Sequence, residues 1–118
     1  MKNKSIQQEF KEFLKQHSFS THRYLLAISG GVDSMILLEL FRQTSATFQV
    51  AHCNFQLRGE DAEGDELFVR EYCGKYTIPF HSVRFNVAAY QKTGNYSVEM
   101  ACRNLRYDWF EQVQQQNR

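Results

Sequence analysis

The chain has 118 residues, of which 42% are hydrophobic and 14% aromatic, and its net charge is +1. This length is typical of one domain, the single proline argues against disorder, and the near-neutral charge predicts that the chain alone binds RNA weakly. No apolar run approaches the roughly 18 residues of a membrane span, and the three cysteines form no C-x-x-C pair, which favours a cytoplasmic protein with reduced thiols and no membrane partner.

Apolar periodicity predicts alternating helices and strands. Residues 5–17 are predicted as an amphipathic leading helix and residues 23–28 as a buried strand. Residues 33–43 are apolar nearly all round, which predicts a helix sandwiched against a sheet. A second strand is expected over 48–54, followed by a loop over 55–60.

The second half of the chain repeats this order. Acidic residues crowd the start of a third helix: Glu60, Asp61, Glu63, Asp65 and Glu66. They complement the helix dipole, and we favour that explanation over a metal site because the spacing of a calcium loop is absent. The apolar stripe of this helix is predicted to consist of Ala62, Val69, Tyr72, Cys73 and Tyr76. A third strand over 80–87, a loop containing Gly94 and a last helix over 97–113 follow.

Strand–helix repeats with connections of this length predict right-handed crossovers and therefore an α/β fold with a parallel sheet. Ligands of such sheets bind beyond the carboxyl ends of the strands. Residues 29–34 and 52–59 both fall at those ends. We therefore expect the two segments to line one crevice.

The first of these segments has the sequence Ser-Gly-Gly-Val-Asp-Ser. Paired glycines let a backbone approach its ligand closely, and the following helix start favours an anion, most simply a phosphate. The segment is no Walker loop, since no lysine lies between Lys15 and Lys75, and it lacks the G-x-G-x-x-G of dinucleotide sites. The serine hydroxyls can donate to phosphate oxygens, and Asp33 can hold Mg²⁺ or orient a nucleophile. An ordinary glycine turn is the alternative.

This S-G-G-x-D-S sequence resembles the PP-loop of N-type ATP pyrophosphatases. Residues 51–59, Ala-His-Cys-Asn-Phe-Gln-Leu-Arg-Gly, resemble the H-x-N-H-x-L-R-G segment of tRNA(Ile)-lysidine synthetases. Residues 97–107 resemble their helix pattern E-x-x-A-R-x-x-R-Y, with Cys102 in place of the usual alanine and Phe55 in place of a histidine. The resemblance implies a three-layer Rossmann-like fold (adenine nucleotide alpha hydrolase-like) with strand order 3-2-1-4-5, here truncated to about three strands.

The resemblance also implies an activity. Enzymes of that family use ATP and Mg²⁺ to adenylate the wobble cytidine of tRNA(Ile), and the amine of free lysine then displaces AMP to give lysidine. The implied nucleotide-binding residues are Ser29, Gly30, Gly31, Val32, Asp33, Ser34, His52 and Asn54. The implied lysine and tRNA residues are Arg58, Glu99, Arg103 and Arg106. Asp33, Arg103 and Arg106 are the implied catalytic residues, and Asp33 is the implied magnesium contact.

Arg103 and Arg106 share one helix face and suit a carboxylate or an RNA phosphate, while a surface pair between Arg103 and Glu99 is the alternative. The family's H-x-x-D-D motif does not occur in the chain. We therefore expect residues 1–118 to be an N-terminal part of a PP-loop domain, inactive by itself. We also expect it to self-associate through its exposed first strand.

Two other functions stay open at this point. The first is a PP-loop tRNA thiolase, some of which use separated cysteines. The second is a non-catalytic module that binds a nucleotide without turning it over.

Overall fold

A computed structural model describes residues 23–57 and 60–116 of the chain. The predicted leading helix over 5–17 lies outside the described residues. The elements are β1 (Arg23–Ala27), α1 (Val32–Arg42), β2 (Thr47–Asn54), α2 (Glu60–Lys75), β3 (Phe80–Arg84), α3 (Val87–Gly94) and α4 (Val98–Gln116).

The strands form one parallel sheet in the order β1-β2-β3. Val50 is the central position, since it pairs with Leu26 on one side and with Phe80 on the other. The α/β class, the parallel pairing and the 3-2-1 part of the predicted strand order are confirmed. The carboxyl ends of β1 and β2 therefore lie side by side, which is the arrangement on which the site depends.

The main core forms where α1 and α2 pack against the sheet. It consists of Leu26, Ile28, Leu38, Phe41, Val50, Val69 and Cys73. The stripe predicted for the third helix supplies two fully buried members, Val69 and Cys73. Helix α4 buries Ala101 and Val113. The core contacts fix α1 and α2, the two helices whose first turns lie at the carboxyl edge of the sheet.

The first crossover helix was predicted to be sandwiched against the sheet because it is apolar nearly all round, and the structure buries only one of its sides. Leu38 and Phe41 of α1 are buried, but Val32 is 77% exposed, Ile36 51% and Leu37 37%. The physical reason is that a helix lying on the outside of a sheet turns only one side towards it.

The predicted extent of the third strand is also wrong, because β3 ends at Arg84 and residues 87–94 form helix α3. The Asn86 side chain caps this helix by accepting a hydrogen bond from the N–H of Ala89 at 3.0 Å. At its other end Asn95 adopts the left-handed conformation, with φ 57° and ψ 43°. The predicted loop around Gly94 is thus only the end of a short, well-capped helix.

Candidate functional site

The turn after β1 is closed by two serine hydroxyls. Ser29 Oγ accepts a hydrogen bond from the N–H of Gly31 at 3.2 Å. Ser34 Oγ accepts one from the N–H of Gly30 at 3.1 Å and donates to the carbonyl of Gly31 at 2.9 Å. The two hydroxyls meet each other at 3.2 Å. These bonds hold the backbone of the turn in one shape.

Gly30 is the point at which this turn meets α2. Its φ is +96°, which L side chains rarely adopt. A Cβ at this position would lie 3.0 Å from the Cβ and 3.3 Å from the Cα of Asp65. Because part of that contact is backbone, the position requires glycine, and its absence of a side chain lets α2 approach the turn.

Helix α1 starts directly after the turn with an open amino end. Its N-cap residue, Gly31, makes no side-chain cap. The first N–H groups of a helix have no partner within the helix and carry the positive end of its dipole. The turn and the start of α1 together therefore suit an anion such as a phosphate. Asp33 is exposed in this first turn, so its carboxylate is accessible to a cation.

The second predicted segment lies at the neighbouring strand end. His52 is 2% exposed, and its Nδ1–H donates to the carbonyl of Ile28 at 2.8 Å, since a carbonyl only accepts. A cavity of about 230 Å³ lies between the two strand ends and is lined by Ser29, by residues 52–57 and by Ala62 and Asp65 of α2. Of the first segment Ser29 alone lines this crevice, together with residues 52–57 of the second segment. The roles of both segments as ligand contacts stay predictions.

A larger cavity lies at the opposite end of the sheet. It measures about 350 Å³ and is lined by residues 23–25 and 47–49 together with Val113 and Gln114. None of the predicted site residues lines it. Since ligands of parallel sheets bind at the carboxyl ends, the smaller crevice is the candidate site.

Asn54 is almost fully buried beneath the crevice and bonded at both ends of its amide. Its Oδ1 accepts from the N–H of Gln56 at 2.8 Å, and its Nδ2 donates to Glu66 at 3.2 Å and to Glu63 at 3.4 Å. Glu66 is 5% exposed and pairs with Arg84 at 3.2 Å. The hydrogen bond from Arg84 lowers the pKa of Glu66, against the opposing effect of burial. An ionised carboxylate therefore joins β2 to β3 below the site.

The residues predicted to bind lysine and tRNA do not all lie at the same place in the structure. Burial raises the pKa of Cys53 to about 11, and the nearby charge of Arg106 acts against that rise. The charge of Arg106 is thus felt at Cys53, which lines the crevice, although Arg106 itself is not among the lining residues. Arg103 and Glu99 are exposed on α4, and no ion pair joins them among the described residues. Arg58 lies outside the described residues.

Arg103 and Arg106 flank the ring of Tyr107, with guanidinium carbons 5.8 and 5.7 Å from its centroid. Tyr107 is 57% exposed. An exposed aromatic ring beside two guanidinium groups suits an anionic partner or a stacked base.

Aromatic packing anchors this helix to the site. Phe55, in the loop after β2, stacks on Phe85 at 5.6 Å, and Trp109 of α4 meets Phe85 edge to face at 6.5 Å. Trp109 therefore takes part in packing, and through Phe85 it connects α4 to the loop that forms one wall of the crevice.

Three residues of this site were not singled out as site residues from the sequence: Asp65, Glu66 and Gln56. Asp65 and Glu66 were assigned only to a helix start. A signal for Glu66 was nevertheless present, since it lies four residues after Ala62 and three before Val69, on the predicted buried stripe. A charged residue at such a position indicates a buried, bonded carboxylate.

Comparison with known proteins agrees with this geometry. The sequence profile of the PP-loop domain family matches residues 2–118. In fold the chain is similar to an NH3-dependent NAD synthetase from Campylobacter jejuni, with a TM-score of 0.61 and 17% identity over 88% of this chain and 50% of that one. The chain belongs to the PP-loop domain family.

Its curated relatives carry a more specific name than the family does. A tRNA(Ile)-lysidine synthase from Bacteroides thetaiotaomicron is 42% identical over 94% of this chain and 26% of its own length. A tRNA(Ile)-lysidine synthase from Chlorobaculum tepidum is 47% identical over 73% of this chain and 27% of its own. The chain thus spans about a quarter of these relatives. No helix in the described part of the chain has the length and apolarity that a membrane crossing requires.

Proposed function

We propose that this chain supplies the ATP-holding part of a tRNA(Ile)-lysidine synthase of the cytoplasm. In that reaction an oxygen on C2 of the wobble cytidine attacks the α-phosphorus of ATP and releases pyrophosphate. The amine of lysine then attacks C2, breaks the C2–O bond and releases AMP. The observation that carries the proposal is the open glycine turn at the start of α1, in a chain whose relatives bear that name.

The turn is the part that holds the pyrophosphate in this proposal. Backbone N–H groups of Val32, Asp33 and Ser34, in the first turn of α1, supply donors, and the positive end of the α1 dipole favours the negative charge. Ser29 and Ser34 keep the turn in shape through the hydrogen bonds described above. Because these donors are fixed before ATP binds, they need no reorganisation as charge develops on the leaving pyrophosphate.

Asp33 is the residue that fits Mg²⁺. The described residues contain no group of three or more His, Cys, Asp or Glu side chains arranged for a metal. A site with one accessible carboxylate suits Mg²⁺, which keeps several waters and takes phosphate oxygens as its other ligands. When bound there, Mg²⁺ neutralises charge on the phosphates.

In this proposal, residues of α4 bind the other two substrates, lysine and tRNA. Arg106 is the cation near the crevice and is our candidate for the lysine carboxylate or an RNA phosphate. Exposed Arg103 lies beside the same Tyr107 ring as Arg106 and extends this surface towards the solvent. Arg58 and Glu99 remain candidates for tRNA contacts by resemblance alone.

The thiol chemistry favours ligation over thiolation. Burial raises the pKa of both Cys53 and Cys73 to about 11, and it also raises the pKa of Cys102. A thiol with a raised pKa stays protonated at neutral pH and is a poor nucleophile. The described cysteines therefore lack the reactivity that a catalytic cysteine of a thiolase needs.

The test uses the gene product that carries this chain, with ATP, Mg²⁺, tRNA(Ile) and radiolabelled lysine. We expect ATP-dependent incorporation of label, reduced by about 100-fold in Asp33→Ala, since removing one electrostatic contact to the reacting phosphates costs rates of this order. Glu71→Ala, which removes an exposed carboxylate of α2, is the control and should retain activity. Binding of ATP without incorporation of lysine would overturn the proposal. Transfer of sulfur to the tRNA would then indicate a thiolase, and the absence of any transfer would indicate a nucleotide-binding module.

A further inference from the structure

Glu66 is a buried charge to which the proposed function gives no role. Its carboxylate lies on the sheet-facing side of α2 with 5% exposure, among apolar neighbours of the same stripe such as Val69. Burying an ionised carboxylate is costly unless hydrogen bonds compensate it. Here Arg84, Arg70 and Asn54 supply those bonds.

The carboxylate determines which way the Asn54 amide points. A carboxylate of this kind only accepts hydrogen bonds, so it binds the NH2 group of Asn54 at 3.2 Å and leaves the amide oxygen on the opposite side. The half-exposed Glu63 accepts from the same NH2 group at the longer distance of 3.4 Å, so buried Glu66 makes the shorter of the two bonds. The amide oxygen of Asn54 accepts the N–H of Gln56 at 2.8 Å. Both ends of the amide are therefore engaged within the protein, and Glu66 fixes the orientation of the acceptor that Gln56 needs.

Gln56 is held in a conformation that its side chain disfavours. Its φ is +57°, in the left-handed region. Besides the bond to Asn54, its Nε2 donates to the carbonyl of Phe85 at 3.0 Å. Strained residues of this kind persist only where their surroundings over-determine them, and they concentrate at binding sites. Residues 55–57 form a wall of the crevice, so the orientation of Asn54 determines the shape of that wall.

We infer that Glu66 is a positioning residue for the nucleotide. It acts through Asn54 on the backbone of Gln56, and the loop over 55–57 held in this way completes the crevice in which ATP binds. Asn54 thereby connects Glu66 to the loop and is not itself a phosphate contact. The inference rests on the proposed function only for the identity of the ligand.

The experiment exchanges the hydrogen-bond donor and acceptor between Asn54 and Glu66. Asn54→Asp places two carboxylates against each other, whereas Asn54→Asp combined with Glu66→Gln restores one donor and one acceptor at unchanged net charge. In the full 118-residue chain, hydrogen exchange of the Gln56 amide and the Kd for Mg-ATP are measured for the single and double variants. Glu71→Gln, an exposed carboxylate on the same helix, is the matched control.

In Asn54→Asp, repulsion between the two carboxylates displaces the oxygen that accepts the Gln56 N–H, so we expect exchange at Gln56 to accelerate about tenfold and the Kd to rise about tenfold. The double variant should return both quantities to within about threefold of the original chain. A double variant no better than Asn54→Asp would overturn the inference, as would single variants indistinguishable from Glu71→Gln. If the unmodified chain does not bind Mg-ATP, the proposed ligand is wrong, and exchange at Gln56 still decides whether Glu66 positions the loop.

Discussion

Gly30 and Gly31 differ in what an added methyl group would meet. Gly31 has a φ of −73°, and a Cβ there would lie 3.5 Å from Ser29 Oγ, an ordinary contact. Gly30 combines a φ of +96° with a contact to α2 at 3.0 Å. Only Gly30 therefore requires the absence of a side chain, although the two residues look equivalent in the sequence.

Gly30→Ala should lower the free energy of unfolding by about 1–2 kcal/mol, because an L side chain is penalised by that amount in a left-handed conformation. It should also weaken ATP binding, since relief of the contact with Asp65 moves the turn. Urea unfolding and calorimetric titration with Mg-ATP measure the two effects.

Gly64→Ala is the matched control for that substitution. Gly64 is helical and a Cβ there would meet nothing within 4 Å, so alanine should stabilise the chain by about 0.5–1 kcal/mol and leave ATP binding unchanged. Equal stability of the two variants would contradict the role we give to Gly30.

Residues 29–34 could be predicted from the sequence because their defining contacts are local, as the bonds between Ser29, Gly31 and Ser34 show. The contact of Gly30 with Asp65 could not, since it joins positions far apart in the chain and depends on how α2 lies against the sheet. The same holds for the bond between Asn54 and Glu66. At the scale of single residues, the sequence therefore indicates the turn better than the contacts that support it.

At the scale of elements, α1 and α2 are joined by a polar contact near their carboxyl ends. Tyr72 of α2 donates its hydroxyl to Glu39 of α1 at 2.7 Å, and Arg42 Nη2 donates to the same carboxylate at 2.7 Å. The Arg42 guanidinium also lies 4.1 Å from the ring centroid of Tyr76. This contact fixes the far ends of the two helices whose first turns border the site.

The Glu39 contact predicts how stability depends on pH. Its hydrogen bond from Arg42 lowers the pKa of Glu39 from 4.5 to about 2. The unfolded chain therefore binds more protons than the folded chain between these values, and the stabilisation is complete above pH 4.5 and lost as the pH falls towards 2. Glu39→Gln should be less stable at neutral pH but should show a shallower loss of stability in acid.

Thermal unfolding of the original chain and of Glu39→Gln, at neutral pH and at about pH 3, measures this difference in acid sensitivity. Tyr72→Phe keeps the ring and removes one donor to Glu39, so its acid dependence should lie between the two. Parallel pH profiles for Glu39→Gln and the original chain would show that other carboxylates account for the acid sensitivity.

The elements that were predicted well are those with a strong apolar pattern, such as β2 over Thr47–Asn54 and α4 over Val98–Gln116. Helix α3 was missed because a short helix has little periodicity and is set by its caps, Asn86 and Asn95. The burial of α1 was overestimated because apolar composition does not tell which of its sides faces the sheet.

At the scale of the whole molecule, the crossovers bring the carboxyl ends of β1 and β2 together, and this topology followed from the order of strands and helices alone. The placement of α4 against the loop after β2 did not follow from it. Phe85 packs between Phe55 of that loop and Trp109 of α4, and such packing has no signature in local sequence.

The same topology places β1 at the edge of the sheet formed by the described residues. This strand pairs with β2 on one side, and no strand among the described residues pairs with its other side. The N–H of Ile28 donates to Ala51 of β2 at 3.0 Å, so by the alternation of a strand the N–H of Ala27 points to the open edge. Open edges of this kind recruit strands of other chains, and we propose self-association of the chain through β1.

Ala27→Pro tests this proposal while sparing the ladder between β1 and β2. Proline removes the outward N–H and is tolerated on edge strands, so the variant should stay folded by circular dichroism. In light scattering the mass of the unmodified chain should rise above 13.9 kDa with concentration, whereas the variant should hold that mass. An unmodified chain that stays at 13.9 kDa would contradict self-association, and a variant that associates equally would move the contact away from β1.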